Sequence, residues 1–310
     1  LAASVTLVRM TDSRSDTRST AVVWAMRIAV VVSGAVAPLI DGAMDSWSDT
    51  ARAVMLSVAW LTWAGCLLCV LVPSSISLTA LRLTVPAGAI LSTIVAIREE
   101  SASAAIATAI CVAATLLALS ADVGDSFVQV SADGDERRHV LRCPPAMIVI
   151  QLLAWIAWMT GAVLVATFAI DHNWIPTAVL AVVVGALSWL LPRRFHRYSR
   201  RWLVQVPAGL VIHDHVVLAE TAMFLARDVR SVDAVTVGTT DAADLTGGCR
   251  GTALRITLDD FETVVMSATR NEPGGRAIHV KSMLVCPSRP GRTLGELTTP
   301  PPSTTSPASS

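Results

Sequence analysis

Residues 146–206 read AMIVIQLLAWIAWMTGAVLVATFAI, DHNWI, PTAVLAVVVGALSWLLP, RRFHRYSRR and WLVQV in succession. Two long uncharged apolar runs are followed by a dense basic exit and then by a short segment of period two. About 20 apolar residues of helix cross the ~30 Å of bilayer hydrocarbon, so the two runs predict a pair of transmembrane helices. Only helices satisfy every backbone polar group within a single lipid-exposed segment. The basic exit marks a membrane boundary, and the alternation from Trp202 onward predicts a strand in water.

Outward from this stretch, the same logic gives six spans, near 21–40, 52–72, 76–97, 102–120, 146–170 and 176–192. The fourth is rich in Ala, Ser and Thr, and the sixth is close to the shortest length that crosses. The chain is 53% hydrophobic and only 15% charged, against about 25% charged in soluble domains. The deficit falls within residues 21–192, whereas 193–297 has soluble composition. The expected class is therefore an α-helical membrane bundle of about six transmembrane helices with a small C-terminal antiparallel β-domain. Residues 1–20 form an N-terminal segment, with Met10 as an alternative start. The first run also has a basic start and an Ala35-Val36-Ala37 that resembles a cleavage site. Its length and the spans that follow favour a membrane helix over a signal peptide.

Orientation follows the arginines. With six spans, Arg9, Arg14, Arg18, Arg137, Arg138, Arg142, Arg193, Arg194, Arg197, Arg200 and Arg201 share one side, and Arg52 and Arg98 the other. The rule that basic flanks stay in the cytosol puts both termini of a multi-pass cell-membrane protein there. Arg27 and Arg82 lie within spans, about 9 Å from the basic end at 1.5 Å per residue. They read as snorkelling anchors, or as a lipid or anion contact together with Arg193, Arg194 and Arg197. The spans hold no Asp or Glu to pair with them, which argues against an ion-coupled transporter.

Trp60 and Trp63 in the second span, and Trp155 and Trp158 in the fifth, are spaced to share a helix face and could frame an aromatic pocket. Ser103, Ala107, Cys111, Ala114 and Ala118 make a small-residue face that predicts close helix packing, with the fourth span central to the bundle. Pro86 and Gly88 predict a kink in the third. Cys66 and Cys69 form a CxxC in lipid with no second pair, and no structural disulfide is expected from the six cysteines.

In loop 121–145, Phe127-Val128-Gln129-Val130 and His139-Val140-Leu141-Arg142 flank an Asp-Gly turn and predict a β-hairpin docked on the C-terminal domain. That domain has predicted strands at 202–206, 210–218, 222–226, 235–237, 252–258, 263–266 and 278–286, with turns at Gly247-Gly248, Asp259-Asp260 and Pro273-Gly274-Gly275. His213 and His215 share a strand face, but the only distant third ligand for a metal is His279, so no metal site is expected. Residues 298–310 are Pro, Ser and Thr and predict disorder.

The loop ADGDERRHVLR at 132–142 with Pro144-Pro145, and RWLVQVPAGLVIHDHVVLAETAMFLARD at 201–228, resemble a family of actinobacterial multi-pass membrane proteins. The resemblance spans most of 21–298 and implies no activity. The order of basic exit, strand, Gly turn and further strands also looks like bacterial membrane-tethered PH-like domains.

No GxSxG, HExxH, P-loop or strand-borne GxGxxG is present, so no catalytic residue and no cofactor are assigned. The expected function is a membrane-anchored scaffold or regulator whose β-domain binds a protein or anionic-lipid partner. The alternative is a small-molecule or lipid transporter with a pocket in the bundle. No nucleic-acid partner is expected.

Overall fold

The computed structural model describes residues 20–36, 38, 41, 48–100, 102–238, 241–268 and 272–298. The N-terminal arginines Arg9, Arg14 and Arg18 and the Pro/Ser/Thr tail beyond Thr298 lie outside them. The chain divides into two units. One comprises residues 1–133 and 146–200, the other 134–145 and 201–310.

The first unit is helical. It contains α1 (Thr20–Ser33), α2 (Asp49–Leu71), α3 (Ser75–Glu99), α4 (Ala102–Leu119), α5 (Ala121–Gln129), α6 (Pro145–Ile170) and α7 (Trp174–Ser199). Five of these, α2, α3, α4, α6 and α7, are long and apolar enough to cross a membrane. Six spans were expected. The described part of the first, α1, rises only about 21 Å, and a 3-10 turn at Gly34–Val36 follows it. The sixth is longer than expected, because the helix runs through Pro192 and carries Arg193, Arg194 and Arg197 on its last turns.

These helices wear their apolar side chains outward. Leu61 is 73% exposed, Val182 74% and Ile175 81%. A water-soluble bundle would hide such a surface; a bundle solvated by acyl chains gains by presenting it. The bundle buries few large side chains, among them Met26, Leu78, Leu81 and Phe127, and otherwise small or polar ones. Ala104, Ala107, Cys111, Ala114 and Ala118 form the buried face of α4, so the small-residue stripe is real, with Ala104 in the place expected for Ser103. The helix with most neighbours is α3, which packs against α2, α4, α5 and α7. The central position expected for the fourth span therefore belongs to the third. A helix whose neighbours press close needs its hydroxyls satisfied locally. Thr79, Thr84 and Thr93 each return a hydrogen bond to the carbonyl four residues back. The α3 helix continues through Pro86.

The loop hairpin is not formed. Ala121–Gln129 is a helix, because Ser120 caps it through Val123 N and Asp122 sits in its first turn. Its Val123, Phe127 and Val128 are fully buried at helical spacing, a period that the short alternation at 127–130 masked. Only the second half of the loop is extended, as β1 (Arg137–Val140).

The second unit contains β1, β2 (Arg201–Val206), β3 (Gly209–Asp214), β4 (Ala222–Leu225), β5 (Val229–Thr236), β6 (Ala243–Asp244), β7 (Thr252–Met266), β8 (Arg276–Val285) and α8 (Pro290–Thr298). One sheet has the order β1-β2-β3-β4 and is antiparallel. The other has the order β5-β7-β8-β6, with β6 parallel to β8. Leu203, Leu210, Ile212 and Phe224 of the first sheet share one core with Leu254, Ile256, Val280 and Met283 of the second, against which Leu294 and Leu297 of α8 pack. The sheets are hydrogen-bonded to each other at two corners. Arg142 N donates to Cys286 O and Ser288 N to Val140 O at one; Ala219 N donates to Val265 O and Ser267 N to Val217 O at the other.

Asp259-Asp260, expected as a turn, lies inside the continuous strand β7. The register against β8 shifts between Thr257 and Glu262, and the extra residues leave Phe261 68% exposed. The bulge is held because Asp259 N donates to Asp228 O and its carboxylate accepts from Arg230 Nε at 2.9 Å. Helix α8 follows a proline at its first position, where the missing N–H costs nothing.

Candidate functional site

The densest polar arrangement among the described residues lies inside the β unit. Antiparallel register sets Arg201, the first residue of β2, opposite Asp214, the last of β3. Arg201 Nε donates to Asp214 Oδ1 at 2.8 Å and Nη2 to Oδ2 at 2.7 Å, with both side chains 1% exposed. The remaining Arg201 nitrogen, Nη1, donates to the Arg142 carbonyl at 2.6 Å. Asp214 Oδ1 also accepts from Val216 N at 3.0 Å. A buried guanidinium and carboxylate survive only when paired and further hydrogen-bonded, and here both conditions are met.

Arg142 sits on the opposite wall. It donates through Nε to Pro287 O at 3.1 Å, through Nη1 to Arg250 O at 3.1 Å, and through Nη2 to Thr252 O. One side chain thus ties the segment after β1 to the start of β7 and the end of β8. Around it wraps Leu245-Thr246-Gly247-Gly248-Cys249-Arg250-Gly251. Asp244 Oδ1 starts the loop by accepting from Thr246 N at 2.7 Å. Gly247 has φ +70, and a Cβ there would lie 2.9 Å from Pro144 Cγ. The loop can therefore close on the arginines only with glycine at that position.

The loop delivers Cys249 against Cys286, which follows β8, and the two pack with Ala253 and Val237. Cys249 Sγ lies 3.5 Å from Arg142 O, and Cys286 Sγ lies 3.5 Å from Thr252 O. The neighbouring Cys286 thiol draws Cys249 down to about 7, against burial, with Arg201 and Arg142 adding to the effect. The neighbouring Cys249 and burial push Cys286 up.

A second polar cluster joins β1 to α8. Glu296 accepts from Arg292 Nε at 2.7 Å, lies 3.7 Å from Arg137 Nη1, and lies 3.8 Å from His139 Nε2. Burial lowers the His139 pKa, Glu296 acts against that, and Arg292 and Arg137 reinforce it. A histidine held neutral by the fold gives stability that is complete above its ordinary value of 6.5 and is lost as pH falls below it. The slope approaches about 1.4 kcal/mol per pH unit at most. We expect the melting temperature of the β unit to fall between pH 7.5 and 5.5. The fall should flatten in His139→Gln, which a pH series of thermal melts on the two proteins would read.

The residues singled out from sequence sit elsewhere. Arg27 Nε donates to Val70 O at 3.1 Å with its guanidinium over Trp24, and Arg82 Nε donates to Ala118 O at 3.0 Å near the end of α4. Arg193, Arg194 and Arg197 are exposed, Arg193 over the Trp189 ring. Trp60 and Trp63 meet edge to face, with centroids 5.4 Å apart. Trp63 donates to Val30 O of α1, Trp155 to Leu83 O of α3, and Trp158 to Ser188 of α7. These indoles are interhelical fasteners, each of a kind worth about 0.6–2 kcal/mol in a membrane. His213 stacks on Trp202 and meets His215, whereas His279 bonds Thr263 on the other sheet. No group of three metal-binding side chains occurs among the described residues.

Sequence reasoning missed Asp214, Arg142 and Cys249. Arg201 looked like the last member of the basic exit, and Asp214 was hidden between two histidines. The one available signal was Gly247-Gly248-Cys249-Arg250-Gly251, a glycine-rich loop that places a cysteine beside an arginine. No family model, no curated protein and no solved structure matches the chain.

Proposed function

We propose that this is a multi-pass cell-membrane protein whose β unit is a cytosolic module for binding a protein or lipid partner, a scaffold or regulator with a PH-like plan. The reading rests on one observation. Strand β1 comes from the segment before α6 and β2 from the segment after α7, and the two pair from Arg137↔Gln205 to Val140↔Trp202. The chain passes between the two units at residues 133/134, 145/146 and 200/201, so the β unit is built from segments on both sides of the α6–α7 pair.

The pairing also supports an orientation that does not depend on α1. Both ends of the α6–α7 pair must return to the same side. That side carries Arg137, Arg138, Arg142, Arg193, Arg194, Arg197, Arg200 and Arg201, and the connection at 171–173 carries none. The basic-flank rule then assigns the β unit to the cytosol. Two small sheets sharing a core and closed by a C-terminal amphipathic helix support the PH-like comparison at the level of architecture.

The transporter alternative draws less support, since Arg27, Arg82, Trp63, Trp155 and Trp158 each spend a donor on a neighbouring helix. A photo-crosslinker placed at the exposed Phe261 tests the reading in living cells. A discrete adduct with one protein or lipid class, distinct from the acyl-chain adducts that a crosslinker at Val182 would give, is expected. Absence of any adduct at Phe261 and at exposed Met223 would remove the binding role.

A further inference from the structure

We propose that Cys249 and Cys286 are a redox modification site, oxidised by peroxides to a reversible intramolecular disulfide that fastens the glycine-rich loop to the end of β8. All six cysteines are free thiols in the structure, and this pair combines packing in one cluster with a cationic surrounding. The two side chains pack in one small buried cluster with Ala253, their thiols donate to Arg142 O and Thr252 O at 3.5 Å each, and the charges of Arg142 and Arg201 act on Cys249. The thiolate is the nucleophile in thiol oxidation, and neighbouring positive charge stabilises it. Each side chain is itself buried. The cover over Cys249 is thin, since Gly247, Gly248, Arg250 and Gly251 are all exposed. A molecule the size of hydrogen peroxide needs only a small opening of that loop. Gly247, Gly248 and Gly251 have φ of +70, +85 and +88, so the loop is built of residues that can also shift between conformations at low cost. Closing a disulfide requires the sulfurs, already in one packed cluster, to approach to about 2.05 Å.

The chemistry proceeds in two balanced steps. The Cys249 thiolate attacks one peroxide oxygen and the O–O bond breaks. Cys249 becomes a sulfenic acid, and the second oxygen leaves as water after taking up a proton. The Cys286 sulfur then attacks the sulfenic sulfur. The S–S bond forms, the S–O bond breaks, and the hydroxyl departs with the Cys286 proton as a second water. Two thiols lose two electrons in all, and one peroxide gains them. A small thiol or dithiol reverses the reaction by exchange. Cys66, Cys69 and Cys111 lie on the apolar helices α2 and α4, away from any comparable cationic cluster.

The full chain in detergent or nanodiscs is treated with hydrogen peroxide, alkylated under denaturing conditions and mapped by mass spectrometry without reductant. The expected product is one Cys249–Cys286 crosslinked peptide, about 2 Da lighter than its two thiol halves, which disappears on adding dithiothreitol. In Cys286→Ser the reaction should stop at a sulfenic acid on Cys249 that dimedone captures. In Cys249→Ser the rate at Cys286 should drop at least about tenfold, as expected when the activated thiolate is lost. Because the wild-type map needs no variant, misfolding of either mutant does not spare the proposal. It is overturned if both thiols remain fully alkylatable while other cysteines oxidise, or if Cys249 links to Cys143 instead.

Discussion

Arg201→Ala is expected to destabilise the β unit by about 3–5 kcal/mol, the cost of leaving a buried carboxylate without its partner. Asp214 is 1% exposed and takes both of its strong donors from this one side chain. Its other bond, from Val216 N, cannot replace a guanidinium. The effect is large against a domain stability of roughly 5–15 kcal/mol. Removing both charges should cost less than removing one: Arg201→Met with Asp214→Leu is expected to recover most of the loss, since apolar replacements of similar volume are often neutral. Denaturant unfolding of the full chain in detergent, followed by amide hydrogen exchange in residues 201–298, reads the cycle. A single mutant close to wild type would mean that water reaches the pair.

Val182→Arg is the second large effect. Val182 is 74% exposed on α7, near the middle of its apolar stretch. If that surface met water, the change would be nearly neutral, as surface substitutions generally are. If it meets acyl chains, an arginine near mid-bilayer costs about 2.5–3.5 kcal/mol on insertion scales. We expect a marked loss of membrane-inserted protein, measured by insertion assay or by the membrane fraction surviving an alkaline wash. Arg193, at the end of the same helix and over the Trp189 ring, should tolerate exchange to Lys.

What could be read from sequence follows the strength of the pattern behind it. Five of the six expected apolar runs were legible because each is long and lipid imposes a uniform demand on every position. Their ends moved where the basic flank continued the helix, as at Pro192 to Ser199. Short segments were less legible. Phe127-Val128-Gln129-Val130 alternates as a strand would, yet the Ser120 cap and the buried Val123 decide for helix. A strand was expected at 139–142 and lies at Arg137–Val140, and its expected partner was wrong, because the true one lies more than sixty residues away across two spans. The site was the least legible part. Arg142, Arg201, Asp214, Cys249 and Cys286 come from five separate segments, and each alone has an ordinary explanation. Register brings Arg201 and Asp214 together, and three glycines of positive φ bring Cys249 to Cys286.

The side of the membrane on which the β unit lies is the central claim, and a proximity-labelling enzyme fused after residue 298 tests it in living cells. Labelling of cytosolic proteins, with none of envelope proteins, is the expected result and would also supply candidate partners. Labelling confined to proteins outside the cytosolic membrane face would contradict the orientation drawn from the paired strands β1 and β2 and their arginine flanks.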